Sequence, residues 1–458
     1  MLAARFLDVH NFGMFSSLLA VIGILSKIVD FGIEPIVFRE FSRDKDNFHL
    51  FNSALNLRFA IYVILVLIFN LCAPFLQYSS KEIILSNILF TTIVFSMKTV
   101  NVRELLSTPF KVNLKMHYPM TLSILDNLIL LVMILLLPFV NDTLMYFVIV
   151  YACSNVPGFV LSFYYLKKKF GYRYQFTIDK GIWLLKESLP LFGFVILNAV
   201  FVQIDIVILN YYRGAYDVGI YSVGTRLTMP LNIIPGAIVT TVFPILVKKM
   251  SDKVSSDYLS NLVVKLLYVI AFVIASVFTF ESGALTNLIF GQKYAASALP
   301  ASVLYWCQIF LFFTYYTLVV LIAKDKQFYN FIYAAIQVVV NVGLNFILIP
   351  QYSFLGAALA KLAASFASFV FIVFILNRFG YKPSVGRYKV LAWSIILCVN
   401  LYVLSFLPVI PYLLLSPFLI IIITFTTRLF GKDELIIFFR LLNREEFGKV
   451  LIDKYHLA

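Results

Sequence analysis

The sequence contains little charge, few cysteines and none of the common signatures of soluble catalysis. Only 13% of its 458 residues are charged, and its 4 cysteines stand in separate apolar segments without a shared motif spacing. The 4 histidines are equally dispersed, and no GxxxxGK[ST] segment marks a P-loop for ATP. These features favour neither a disulfide framework, nor a metal site, nor an enzyme that carries a cofactor.

Long apolar segments dominate the chain instead. The composition is 61% hydrophobic, and the mean hydropathy is +0.92. About 20 apolar residues let a helix cross the ~30 Å hydrocarbon layer, and these segments lack the alternation of a membrane β-barrel. We therefore predict an all-α membrane protein with 13 transmembrane helices, near 11–34, 52–76, 83–106, 118–140, 143–166, 187–212, 217–247, 259–290, 297–322, 327–349, 354–377, 388–408 and 411–428.

The basic residues indicate how these helices are oriented. Of the 37 Lys and Arg residues, 29 lie in every second connection and in the tail from 428, whereas 4 lie in the alternate connections. Because positively charged loops stay in the cytoplasm, this bias predicts an N-terminus outside and a C-terminus in the cytoplasm. Most of the net charge of +14 is then explained by the basic cytoplasmic loops, and a nucleic-acid partner is not expected.

Two pairs of similar segments indicate an internal duplication. Phe12–Ser16 resembles Val218–Ser222, 206 residues later, and Lys169–Arg173 resembles Arg378–Lys382, 209 residues later. Both pairs lie on matching sides of the predicted membrane. Copies in the same orientation are related by an axis along the membrane normal, a common transporter plan with the binding site between the lobes.

The duplication predicts how the chain is divided. We expect an N-terminal lobe of five helices, a C-terminal lobe of six, two additional transmembrane helices and a cytoplasmic tail, at 1–180, 181–385, 386–430 and 431–458. The first lobe lacks a counterpart of the span 187–212, so its first helix is absent. This predicts that the gene encodes roughly 20–30 further apolar residues upstream, the length of one span.

Two stretches of the sequence resemble a known transporter family. They comprise Ala4–Leu7, Phe12-Gly13 and Phe38–Arg43 in the first lobe, and Pro190–Gly193, Gln203–Asp205, Asp217–Ser222, Arg226-Leu227, Pro230-Leu231, Pro235-Gly236 and Phe243-Pro244 in the second. These segments are similar to the polysaccharide-biosynthesis transporters, the Wzx-type O-antigen flippases of the multidrug/oligosaccharidyl-lipid/polysaccharide exporter superfamily.

The resemblance implies two six-helix bundles around a central cavity, often followed by two additional helices, in a bacterial inner membrane. It also implies a substrate, an undecaprenyl-pyrophosphate-linked oligosaccharide repeat unit of O-antigen or a similar surface polysaccharide. Alternating access would move that unit from the cytoplasmic to the periplasmic leaflet. Membrane lipids, the polymerase and the chain-length machinery would be partners. The absent first helix departs from the twelve or fourteen spans usual in such proteins.

Five basic residues within or beside the predicted spans are the candidate substrate-binding residues. A lipid pyrophosphate carries about two negative charges, which Lys or Arg in a cavity can offset. A cation at mid-membrane costs roughly 2.5–3.5 kcal/mol and so marks a pathway or a partnered site, unless the side chain snorkels. We expect these residues to line a cationic cavity, with an inner station near Lys27 and Lys98 and an outer station near Arg226 and Lys361, and the fifth candidate is Arg58.

Four acidic residues in the spans are candidates for ion coupling or for structural pairing: Asp30, Asp126, Asp205 and Glu281. The first lies three residues after Lys27 on one helix face and could neutralise it. Asp205 and Arg226 lie at comparable depth in two helices joined by a short outer loop, which favours a structural ion pair. The remaining two could bind a coupling proton or sodium ion.

Two other functions are compatible with the same composition. A multidrug or metabolite exporter of the same superfamily would have fewer cations and more acids facing its cavity. A membrane polysaccharide polymerase or glycosyltransferase would place catalytic residues on a sizeable loop, whereas every predicted outer connection is short. The sequence favours the flippase over both.

Overall fold

Helices account for nearly all of the secondary structure. The helical content is 86%, and no strand occurs in the part of the chain that the structure describes. This computed structural model describes residues 2–75, 78–99, 101–249, 253–380, 387–431 and 434. Two predicted features therefore lie largely outside it, namely the cytoplasmic tail at 431–458 and the end of the repeat Arg378–Lys382.

The helices follow one another through short connections. Those of the first half are α1 (Leu2–Phe6), α2 (Val9–Asp30), α3 (Ile33–Arg43), α4 (Phe48–Cys72), α5 (Ser80–Phe95), α6 (Val102–Val112), α7 (His117–Ile134), α8 (Thr143–Cys153), α9 (Val156–Phe170), α10 (Gly181–Arg213) and α11 (Ala215–Thr228). Those of the second half are α12 (Ile233–Lys249), α13 (Lys253–Phe280), α14 (Ser282–Phe290), α15 (Ala298–Ala323), α16 (Phe328–Arg378), α17 (Arg387–Leu404) and α18 (Val409–Thr426).

Ten helical stretches in the described residues are long and apolar enough to cross a membrane. They support the predicted helical membrane protein, while the count of thirteen stays a prediction. Three features account for the difference. The predicted span 83–106 is interrupted after α5, the single helix α16 contains two predicted spans, and the span 388–408 corresponds to a shorter apolar helix, Tyr388–Leu404.

The longest helix, α16, bends sharply in its middle. Its 51 residues would extend about 77 Å if straight, more than twice the hydrocarbon thickness. Ser353 has a non-helical φ of 52° and ψ of −131°. A Cβ built on Gly356 would lie 2.3 Å from the Leu348 carbonyl oxygen, although residues eight apart in a straight helix are about 12 Å apart. The two predicted spans meet at this bend.

Two compact units divide the chain, and the first comprises Met1–Ser222 and Gln337–Ala357. Within it α2 packs along α10 and also contacts α4, α5 and α8. A hydrophobic core under α3, α4 and α6 includes the buried side chains of Ile33, Phe51 and Leu105. The predicted lobe boundaries at 180 and 385 stay predictions.

The second unit comprises Val223–Ile336 and Ala358–Ala458. Its helix α13 packs against α15, and the C-terminal helices α17 and α18 also pack there. Tyr412 of α18 is fully buried, and its hydroxyl donates a hydrogen bond of 3.1 Å to the carbonyl of Val277 in α13. The two additional helices thus form part of the core of this unit.

Within the first unit, α2 and α11 approach each other at the two glycines of the repeated motif. A Cβ on Gly13 would lie 1.7 Å from the Ala215 carbonyl oxygen, and one on Gly219 would lie 2.2 Å from the Val9 carbonyl oxygen. Gly219 lies 206 residues after Gly13, and Ala215 lies 206 residues after Val9. The two contacts are therefore equivalent under the repeat, with the partners exchanged. A two-fold relation produces such reciprocity, which supports the duplication. Only glycine permits so close a backbone approach.

Candidate functional site

A cavity of about 470 Å³ lies within the first unit, between α2 and α10. Its volume is that of a typical small-ligand site. The residues on each helix recur at one-turn spacing, so one face of α2 and one face of α10 form its walls. The lining comprises Leu19, Ile22, Gly23, Ser26 and Lys27 of α2, Phe194, Val195, Asn198, Ala199, Val202 and Gln203 of α10, Tyr151 of α8, and Lys98 and Thr99 between α5 and α6.

Two of the predicted cations, Lys27 and Lys98, are the charged residues among the described residues of this lining. The Lys98 ammonium lies 5.0 Å from the centre of the Tyr151 ring, a cation–π distance. Neither lysine forms an ion pair with a carboxylate among the residues that the structure describes. Asn198 and Gln203 add neutral hydrogen-bonding groups on the α10 wall. The cavity therefore presents positive charge to a ligand.

The helix break after Phe95 brings Lys98 to this cavity. Ser96 is extended, with φ −95° and ψ 140°, and Asn101 has φ −142° and ψ −120° before α6 begins. The uninterrupted helix predicted over 83–106 is therefore wrong at this point. Irregular backbone at membrane depth is tolerated where it is buried in protein or lines a cavity, and this turn lines a cavity.

Arg58 lies beside the break but outside the cavity lining. Its guanidinium is fully buried, forms an ion pair with Asp30 and donates a hydrogen bond of 2.8 Å to the Asn101 carbonyl. The Asp30 carboxylate thus contacts Arg58, whereas the spacing in the sequence suggested Lys27 as its partner. Whether Arg58 itself contacts a substrate stays a prediction.

A second buried ion pair joins Asp126 of α7 to Arg103 of α6. Arg103 also donates hydrogen bonds of 3.2 Å to the carbonyls of Phe95 and Asn155. A Cβ on Gly158 would contact both the Arg103 guanidinium and the Asp126 carboxylate, so a side chain there would displace the ion pair. Sequence reasoning missed Arg103 because it counted this residue among the cytoplasmic loop cations. The signal was Asp126, since a buried carboxylate in a span requires a partner.

The remaining candidates lie elsewhere. Asp205 is buried in the first unit, where it accepts hydrogen bonds of 2.8 Å from the Tyr221 hydroxyl and from the Asn345 amide. The other three belong to the second unit. Arg226 is a half-buried residue of α11, Lys361 is a buried residue of α16, and Glu281 is buried immediately before α14. Their roles, and the predicted Asp205–Arg226 pair, stay predictions.

Comparison with solved structures identifies the class of fold. The lipid II flippase MurJ in an inward closed conformation superimposes with a TM-score of 0.76 at 16% identity, covering 97% of this chain and 96% of that chain. An inward-facing multidrug resistance MATE family transporter of the MOP superfamily gives a TM-score of 0.62 at 14% identity, covering 84% of this chain and 95% of that chain. The protein has the fold of these helical transporters.

The sequence comparisons are more specific. The family model described as "Polysaccharide biosynthesis protein" matches residues 1–250, and the chain belongs to that family. The capsular polysaccharide biosynthesis protein CapF of Staphylococcus aureus is 25% identical over 245 residues. That match covers 52% of this chain and 60% of CapF, less than two thirds of the relative's length.

Proposed function

We propose that this protein is a flippase for lipid-linked oligosaccharide, which moves undecaprenyl-pyrophosphate-linked repeat units from the cytoplasmic to the periplasmic leaflet. The observation that carries the proposal is the convergence of Lys27 and Lys98 on one cavity without carboxylate partners among the described residues. Membership of the polysaccharide biosynthesis family and the transporter fold agree with it. The surface polysaccharide would be O-antigen, capsule or a similar glycan.

The chemistry of the cavity suits a diphosphate better than a cationic drug. A diphosphate linked to a lipid and a sugar carries about two negative charges, and two lysines match them. The described lining contains no acidic residue that would attract a cation. The amides of Asn198 and Gln203 can donate hydrogen bonds to phosphate or sugar oxygens. These features favour the flippase over the exporter.

The proposed transport route extends beyond this inner station. Arg226 and Lys361 would form the outer station during alternating access, and Asp126, Asp205 or Glu281 would be open to ion coupling where structural pairing does not occupy them. The loops at Lys168 and Lys248 would face the cytoplasm in a bacterial inner membrane. The polymerase and the chain-length machinery would receive the product.

Export of surface polysaccharide by a flippase-null strain tests the proposal. Replacing Lys27, Lys98 or Lys361 by Ala should abolish export with membrane protein near the wild-type amount, while replacement by Arg should keep much of it, because the requirement is positive charge. The matched control is Lys81→Ala, which removes an exposed lysine paired with Asp142. Full export by the triple alanine variant would mean that these lysines only snorkel, and the proposal would be abandoned.

A further inference from the structure

The helix break that carries Lys98 leaves backbone groups without helical partners. α5 ends at Phe95 and α6 begins at Val102, so the carbonyls of the last turn of α5, that of Phe95 among them, depend on donors outside the helix, whereas the Asn101 carbonyl already accepts the Leu105 N–H of α6. A carbonyl that is buried within a membrane protein and left unsatisfied costs several kcal/mol, and irregular backbone is tolerated there only where protein or a cavity supplies its partners. The side chains that satisfy these carbonyls therefore also determine where the turn between the two helices lies.

Arg58 and Asn101 attach the break to α2. Arg58 donates to the Asn101 carbonyl, and the Asn101 side-chain amide donates a hydrogen bond of 2.6 Å to the Ser26 carbonyl. The carboxylate that pairs with Arg58 belongs to Asp30, one helical turn after Ser26. The two attachment points on α2 thus lie on either side of Lys27 in the sequence, and one of them, Ser26, lines the cavity as Lys27 does.

Arg103 attaches the other side of the break. It donates to the Phe95 carbonyl at the end of α5 and to the Asn155 carbonyl at the start of α9. Asn155 follows α8, the helix that carries Tyr151, whose ring lies under the Lys98 ammonium. Lys98 and its aromatic partner are therefore both held by segments to which Arg103 is bound.

We infer that Arg58, Asn101 and Arg103 are positioning residues that hold Lys98 at the cavity that Lys27 also lines, the proposed diphosphate site. None of the three lines the cavity, and each is at most 1% exposed. They would act on the ligand only through Lys98. This inference rests on the proposed function, because it assigns these residues a role in binding the same anionic group.

A double-mutant cycle between Asn101 and Lys98 tests this role. The measurement is the dissociation constant of the purified protein in detergent for farnesyl diphosphate, a soluble polyprenyl diphosphate. Lys98→Ala and Asn101→Ala should each weaken binding by about tenfold, the loss of one charge-assisted hydrogen bond. If Asn101 acts through Lys98, the double variant should bind no more weakly than Lys98→Ala alone. A merely structural asparagine would instead give effects that multiply.

Two further variants separate positioning from stability. Arg58→Lys keeps the charge opposite Asp30 but loses the planar fork that reaches the Asn101 carbonyl, so binding should weaken while the melting temperature changes little. The matched control is Asn70→Ala, because Asn70 and Asn87 exchange two hydrogen bonds of 2.8 Å between α4 and α5, outside the cavity lining. This control should bind the diphosphate as the wild type does.

The outcomes distinguish the two proposals. Multiplying effects of Asn101→Ala and Lys98→Ala, or wild-type binding by Asn101→Ala, would overturn the positioning role and leave the cavity as the diphosphate site. Wild-type binding by Lys98→Ala and by Lys27→Ala would instead remove the diphosphate site itself, and the positioning role with it.

Discussion

The cavity lysines and the buried arginines lie within the same bundle of helices but have opposite environments. Lys27 and Lys98 line a cavity and have no carboxylate partner among the described residues, whereas Arg58 and Arg103 are almost fully buried, each paired with an aspartate. A buried ion pair carries no net charge and contributes to the stability of the fold. A cation that faces a cavity without such a partner is available to an anionic ligand.

Arg103→Ala should give the largest effect on stability. Removing one partner of a buried ion pair leaves the Asp126 carboxylate uncompensated, which typically costs about 3–5 kcal/mol. The carbonyls of Phe95 and Asn155 would also lose the hydrogen bonds that they accept from Arg103. We expect little folded protein in the membrane, measured by quantitative immunoblotting and by the thermal unfolding midpoint in detergent.

The matched control for that variant is Lys98→Ala. It also removes one positive charge close to the α5–α6 break, but this lysine has no carboxylate partner among the described residues. Its effect on unfolding should stay within about 0.5 kcal/mol, as for an exposed substitution. Equal losses of folded protein in Arg103→Ala and Lys98→Ala would contradict the distinction between a buried, paired arginine and a cavity lysine.

Of the ion pairs, the exposed one between the spans, Lys81–Asp142, should cost the least to break. Asp142 caps α8 by accepting the Met145 N–H, which together with Lys81 holds the pKa of Asp142 below its usual value. Asp142→Ala should cost at most about 1 kcal/mol, the usual value of an N-cap. A carboxyl group whose folded-state pKa is lowered contributes its full stabilisation above the unfolded value of about 3.9 and loses it as the pH falls through the folded value, so the difference from wild type should fade as the pH drops below about 3.9. A difference in melting temperature that grew instead at low pH would contradict this assignment.

The long apolar runs were sufficient to predict a helical membrane protein, but not every interruption of its helices. The spans and the repeat at Gly13 and Gly219 follow from composition and from direct comparison of segments. The break at Ser96 does not, because it lies within an apolar run and depends on tertiary partners, whereas the bend at Ser353 lies at the junction predicted between the spans 327–349 and 354–377. Hydropathy measures the free energy of placing a residue in lipid. It does not indicate which side chain will donate a hydrogen bond to a carbonyl at the end of an interrupted helix.

The candidate site was predicted in part. Lys27 and Lys98 stood out as charges inside spans, and the structure brings both to one cavity. Arg103 was missed because a sequence cannot distinguish a cytoplasmic loop from a short helix folded back into protein. The neutral lining residues Asn198 and Gln203 were not selected either, since their role depends on which face of α10 meets the cavity.

The most direct test of the central claim is translocation in proteoliposomes. The measurement is the rate at which a fluorescent undecaprenyl-diphosphate oligosaccharide, loaded in one leaflet, becomes accessible on the other side to a membrane-impermeant quencher. The wild type and the Lys27→Arg/Lys98→Arg variant should accelerate this exchange above protein-free vesicles, whereas Lys27→Ala/Lys98→Ala should not, at equal reconstituted protein. Exchange by the double alanine variant at the wild-type rate would contradict a diphosphate site between these two lysines.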